Sequence, residues 1–553
     1  MTNIDKLIVN ANILTLDDNE SYAGSVAIAS GVISHIWEEQ YPPCLNDLKN
    51  RDDIEIIDVK GKTILPGFID THNHLLMYSQ NRAQVNCSSP LNKNINDLLN
   101  TLERYISTKA IGEWVIGWGY DDTLLDDQRH PTKVDLDKVS PNNPMLIRHI
   151  SGHFAVVNSV ALKLAGVDDN VSDPSGGHFG RDNKGTLNGV LYEFPAMKPF
   201  DDILPEYSQD DLISLIEQGA EDYLSVGITT STDAGVGLVK GDSEYDAHIK
   251  SVQLGKNPLR MRYMILHNLL SPGSRFENLS FTQLKQKIEQ DTNGRATLDS
   301  AKLFQDGSIQ GMTGALREPY FCDMNHFGNL IHDQNYLNEE VYELHKRGFR
   351  IAIHGNGDKA IASIIESYSM ALKRLPKANH RHRIEHVQTA TKEDLKQMKE
   401  LGIEASFFIN HVYYWGERHK KIFLGESRAK RINPLRDAMD LGFKFTLHSD
   451  CPITPISPLF SIWAAVNRRT TEGSVLGEDQ KIDVITALKS MTIYGAWLNF
   501  EEDIAGSIEI GKQADFIIVD KDPLKVNVDD IKDISILSTF ISGKEVYSKK
   551  QQK

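Results

Sequence analysis

The chain reads as an α/β protein: a (β/α)8 TIM barrel, a small β-sandwich domain built from both ends of the sequence, and a large insertion after barrel strand one. Three observations predict this. Short apolar runs alternate with amphipathic segments through the centre, β-rich stretches lie at both ends, and residues 75–207 break the rhythm. Repeated strand–helix units favour a parallel sheet, and eight of them favour a barrel with its chemistry at the C-terminal ends of the strands.

The ends come first. Leu7-Ile8-Val9, Ser25-Val26-Ala27-Ile28 and Ile54-Glu55-Ile56-Ile57 are short apolar runs between turn signals, as strands of a small sheet are. Ala514 to Asp520 and Ile536 to Ile541 match them at the far end, with Lys521-Asp522-Pro523 as the turn. Residues 1–65 with 500–553 are therefore expected to form one composite domain, and 66–499 the barrel.

The barrel strands follow in order. The run before Pro66-Gly67 leads through a turn into the stretch that ends at His72-Asn73-His74, and Gly227 to Thr230 reads as the second strand. Arg260 to Leu266, Ala301 to Phe304, Phe349 to Ile353, Arg383 to His386, Ile403 to Phe408 and Phe445 to Leu447 complete eight. Between strands, Asp358 to Leu375 places Ile361, Ile364, Ile365, Tyr368 and Leu372 at helical spacing. Thr391 with early acids opens another helix, and Gly402 closes it. The stretch 75–207 carries Gly117-Trp118-Gly119-Tyr120-Asp121-Asp122, Ser151-Gly152-His153-Phe154 and a hairpin about Arg181 to Gly185. Long insertions of this kind serve as lids or binding loops.

Composition narrows the function. Hydrophobic residues make up 40% and charged residues 25%, ordinary for a globular protein with a sizeable core. A net charge of −16 provides no basic field for nucleic acid or an anionic membrane. No apolar run reaches membrane-spanning length, and the first residues lack the pattern of a signal peptide. Cys44, Cys87, Cys322 and Cys451 are scattered without a Cys-X-X-Cys pair, so a reduced, cytoplasmic protein is expected.

Strand side chains alternate, so His72 and His74 face one side and can bind one cation from two directions. With Leu65-Pro66-Gly67-Phe68-Ile69-Asp70-Thr71 before them, this stretch resembles the first barrel strand of the amidohydrolase superfamily. Lys302, His354, His386 and Asp450 each sit at or near a strand end, and their order resembles that of its two-metal members. Gly117 to Asp121, Lys302 to Ser308 and His354 to Asp358 resemble the amidohydrolase family 3 branch, which contains N-substituted formamide deformylase.

The resemblance implies two divalent ions, zinc first, bridged by Lys302 in its carboxylated form. His72, His74 and Asp450 would hold one ion, His354 and His386 the other, and Asp450 would move the proton as metal-activated hydroxide attacks a small N-substituted amide, N-acyl or N-formyl. Gly355-Asn356-Gly357 after His354 departs from the mononuclear deaminases, which place a glutamate there. A deaminase, a cyclic amide hydrolase and a non-catalytic barrel are the alternatives. Trp118, Tyr120, His153, Glu193, Arg317 and His411 are the candidate substrate contacts, Trp118 and Tyr120 suiting an apolar or aromatic substituent. As metal ligands, His448, His382, His411 and His153 are set aside and read as ordinary core or surface histidines. The expected partner is the small-molecule substrate, without nucleic acid or membrane, and a homodimer is left open.

Overall fold

Thr63–Pro66 and Phe68–Asn73 are separate strands with Gly67 between them. A Cβ on Gly67 would fall 2.3 Å from Thr229 Oγ1, so glycine is what lets the first two barrel strands close up. The computed structural model describes residues 4–550, apart from 153, 175 and 239.

Eight strands form one parallel sheet in sequence order: Phe68–Asn73, Ile228–Val236, Arg260–Leu266, Ala296–Phe304, Ile351–Gly355, Arg383–His386, Glu404–Phe407 and Thr446–Leu447. This is a nearly closed barrel. Thr71 on the first strand donates to Thr446 on the eighth across 2.8 Å. The fourth strand starts five residues before the apolar run Ala301 to Phe304, because Ala296 and Leu298 continue the buried alternation. The eighth is only two residues long.

The intervening helices have local causes. Asp358–Arg374 buries Ile361, Ile364, Ile365 and Tyr368 along one face. Lys392–Leu401 opens on a reciprocal cap between Thr391 and Asp394, and stops where Gly402 takes φ 69°.

The flanking strands make two further sheets. Lys6–Val9, Ser25–Ala29, Val32–Trp37 and Glu55–Asp58 form one. In the other, Phe516–Val519 lies between Thr63–Pro66 and Ile536–Ile541, antiparallel to both, with Ile517 opposite Leu65. Ile8, Val26 and Ile28 of the first sheet share a buried apolar cluster with Ile64, Phe516 and Phe540 of the second.

Residues 1–76 with 216–553 form one compact unit, and residues 77–215 a second. The second unit has a six-stranded sheet of its own and a core of Leu98, Leu102, Val115, Tyr120, Ile147 and Val156. Among the described residues, no helix is long and apolar enough to cross a membrane.

Candidate metal centre

Six side chains meet at the C-terminal end of the barrel. His72 Nε2 lies 3.4 Å and His74 Nε2 3.2 Å from Asp450 Oδ1. His386 Nδ1 is 4.0 Å from Asp450 Oδ2, and His386 Nε2 is 3.0 Å from His354 Nδ1. Lys302 is fully buried, with its ammonium end 5.0 Å from the Phe304 ring centre. His386 and Asp450 both adopt left-handed backbone, φ 73° and 52°. Such conformations cost on the order of 1–3 kcal/mol each in non-glycine residues and gather at functional sites.

These residues fit a divalent cation. Two ligands bound at about 2.0–2.1 Å in a tetrahedron stand about 3.3 Å apart, close to the separations around Asp450 Oδ1. Among the described residues, Lys302 Nζ is buried without a hydrogen-bond partner, an arrangement that is costly for a polar atom with nothing to bind. Burial, reinforced by Lys302, pushes His354 down to about 3, and burial also holds His386 well below its ordinary value, so both imidazoles are neutral and offer lone pairs. Burial would raise Asp450, but His72 and His74 outweigh it and keep the carboxylate ionised. Burial lowers Lys302 to about 8 against the opposing pull of Glu385 and Asp450.

The ligand set is held from behind. Glu385, on the sixth strand, hydrogen-bonds His72 Nδ1. Asp306 accepts from the backbone of Asn356 (3.0 Å), Gly357 (2.7 Å) and Ala315 (2.9 Å), fixing the turn after His354. A Cβ on Gly357 would sit 1.9 Å from the Ala315 carbonyl oxygen, which explains the second glycine of the Gly-Asn-Gly after that histidine.

His448 reads from the sequence as a core or surface histidine rather than a ligand; it is a buried, hydrogen-bonded core residue, and its place in the core is against the candidate ligands. Its ring stacks 4.7 Å from His72, and its Nε2 is 3.1 Å from His386 Nδ1. His382 does lie elsewhere, bonded to His345 (2.9 Å) and to the Ile351 amide. Glu385 was missed. Its signal was the alternation Arg383-Ile384-Glu385, which puts two charges on one face of a buried strand.

The candidate substrate contacts separate. His411 is buried beside the candidate metal ligands, stacked on Trp415 at 4.4 Å and edge-on to Phe408 at 4.7 Å, and Phe408 lies 5.8 Å from His386. Arg317 instead ties a loop to a helix start, donating to both oxygens of Asp394 at 2.9 and 2.7 Å. In the second unit, Tyr120 is fully buried with its hydroxyl 3.1 Å from His130, Trp118 is half-buried, and Glu193 begins the helix Glu193–Asp201. His153 lies outside the described residues.

A sequence profile described as "Amidohydrolase family" matches residues 55–547. N-substituted formamide deformylase of Arthrobacter pascens is 30% identical over 551 residues, 98% of this chain and 97% of that protein. A metal-dependent hydrolase from Pyrococcus furiosus, solved as a crystal structure, superposes with a TM-score of 0.73 at 25% identity, covering 94% of this chain and all of that one. A second, from Pyrococcus horikoshii OT3, gives 0.75 at 24% identity over 95% and 99%.

Proposed function

Because this chain belongs to the amidohydrolase family and is a metal-dependent hydrolase of carbon–nitrogen bonds, we propose that its substrate is a small N-substituted amide, N-formyl or N-acyl, cleaved to an acid and an amine. One observation carries the reading: Asp450 Oδ1 stands where His72 and His74 converge, in a chain that aligns end to end with a deformylase of N-substituted formamides.

The proposed cofactor is a pair of zinc ions. His72, His74, His354, His386 and Asp450 would hold them, and Lys302, carboxylated by carbon dioxide, would join the set with an oxygen in place of its amine. When bound, the cations polarise the scissile carbonyl and bring the pKa of the attacking water to about 7.

The chain's own residues do the rest. Asp450 accepts the proton of the attacking water and returns it to the leaving nitrogen, which departs as a neutral amine. The neutral rings of His354 and His386 add no competing positive charge. Phe408, His411 and Trp415 make an aromatic wall beside the ligands, suited to an apolar substituent on the acyl group or the nitrogen.

The test is a panel of N-formyl and N-acetyl derivatives of benzylamine and methylamine, offered to zinc-loaded protein, with kcat/KM read for each. Turnover of the amides, with benzyl ahead of methyl, is expected. No turnover on any of them, alongside release of ammonia from aminopurines or opening of cyclic imides, would overturn the assignment.

A further inference from the structure

The barrel interior beneath the metal centre is charged where such interiors are usually apolar. Arg350 contacts Asp299 Oδ1, and Arg383 lies 3.6 Å from the other oxygen, Oδ2. Arg383 Nε is 2.5 Å from Glu385 Oε1, and Glu385 Oε2 meets His72 Nδ1. Arg383 also donates to the carbonyl of Thr71, the residue before His72, at 3.0 Å. Arg350 and Asp299 are almost wholly buried, and Arg383 and Glu385 completely so.

We infer that Glu385 is a positioning residue of the metal centre: held by Arg383, it keeps the proton of His72 on Nδ1 and turns the lone pair of Nε2 toward the cation. A carboxylate behind a ligating histidine fixes its tautomer and raises its basicity. Glu385 is held at both oxygens, Oε2 by His72 and Oε1 by Arg383, and Arg383 in turn lies against the Asp299–Arg350 pair. The ladder thus runs from the fourth strand and the residue that precedes the fifth through the sixth to the first, ending on His72. This inference rests on the metal reading above. Its readout is metal retained, which is independent of the choice of amide.

Two substitutions separate charge from shape. In Glu385→Gln the size is kept, but Arg383 can only donate and claims the amide oxygen. The NH2 group then faces His72 Nδ1, which must accept, and the proton moves to Nε2 where it blocks ligation. Glu385→Asp keeps the charge at shorter reach. Zinc affinity is measured by competition with a chelator, and melting of the metal-free proteins is followed in parallel. Expected is a loss of about ten- to a hundredfold for Glu385→Gln and a smaller one for Glu385→Asp, with metal-free melting of the two alike. Affinity of Glu385→Gln within twofold of wild type, or better retained than in Glu385→Asp, would overturn the inference. Should Glu385→Gln not fold, Glu385→Asp decides: affinity as low as in His72→Ala counts against the role, and clearly higher affinity supports it.

Discussion

His448 Nε2 stands 3.1 Å from His386 Nδ1, so the histidine that follows the eighth strand is the hydrogen-bond partner of one on the sixth. On its other side His448 Nδ1 is 2.8 Å from Ser406 Oγ, which also receives the hydroxyl of Thr446 at 2.9 Å. For His386 to offer Nε2 as a ligand, its Nδ1–H must donate to His448, and His448 must donate onward to Ser406. His448→Phe keeps a ring against His72 but removes that acceptor. Metal affinity should fall by about ten- to a hundredfold, with His448→Gln recovering part of it. Elemental analysis after dialysis checks this, and unchanged zinc in His448→Phe would argue against it.

Lys302→Ala should lower metal content. Among the described residues the amine it removes has no hydrogen-bond partner, so no hydrogen bond of the fold is lost with it. Short carboxylic acids added to the variant should restore part of the activity by supplying the missing oxygens. Equal metal in variant and wild type would remove Lys302 from the ligand set.

Asp450→Asn should leave the fold intact, since the amide is nearly the same size, yet it cannot take up a proton near neutral pH. Losing a proton-transfer group costs about a hundredfold to ten-thousandfold in turnover. Turnover of the metal-loaded variant within a few-fold of wild type would assign the proton to another group.

Asp135 gives a pH prediction away from the metals. Burial would raise its carboxyl, but Arg129 (2.8 Å) and the hydroxyl (2.9 Å) and amide (3.0 Å) of Thr132 hold it down to about 2. An unfolded aspartate titrates near about 3.9. The depressed value therefore stabilises the fold above about pH 4, and that contribution is lost as pH falls through about 2. Hydrogen exchange across residues 129–138 should be faster in Asp135→Asn than in wild type at pH 6, and the two should converge near pH 2. A difference independent of pH would locate the effect in packing rather than charge.

Removing everything after Gly511 should unfold the two-sheet region. Phe516, Ile517, Ile518 and Val519 are all buried, and at about 1.5–3 kcal/mol each their loss rivals a typical net stability of about 5–15 kcal/mol. A truncated protein that stays soluble with an unchanged Tm would contradict this.

The barrel strands were legible because buried parallel strands are short apolar runs that recur between helices. The eighth was faint because its ladder lasts two residues, after which the chain turns toward Asp450. The six metal-ligand candidates stood out as polar residues at the ends of such runs. Glu385 and His448 did not, since each meets its partner across strands far apart in sequence; the alternation at Arg383-Ile384-Glu385 marks a charged buried strand but does not point to His72. Tyr120 misled for the opposite reason: beside glycines it resembled a pocket aromatic, yet it fills the core of its own unit.

The strand Phe516–Val519 has a consequence for how the chain is made. Its partner Thr63–Pro66 leaves the ribosome some 450 residues earlier. At about 5–20 residues per second that is roughly 20–90 seconds. Throughout that interval Ile64 and Leu65 stand with an open edge, directly joined to the strand that carries His72. Synthesis therefore passes through a stage in which one strand of the candidate metal centre is tethered to an unfinished sheet, and chaperones or slow translation would act on that stage.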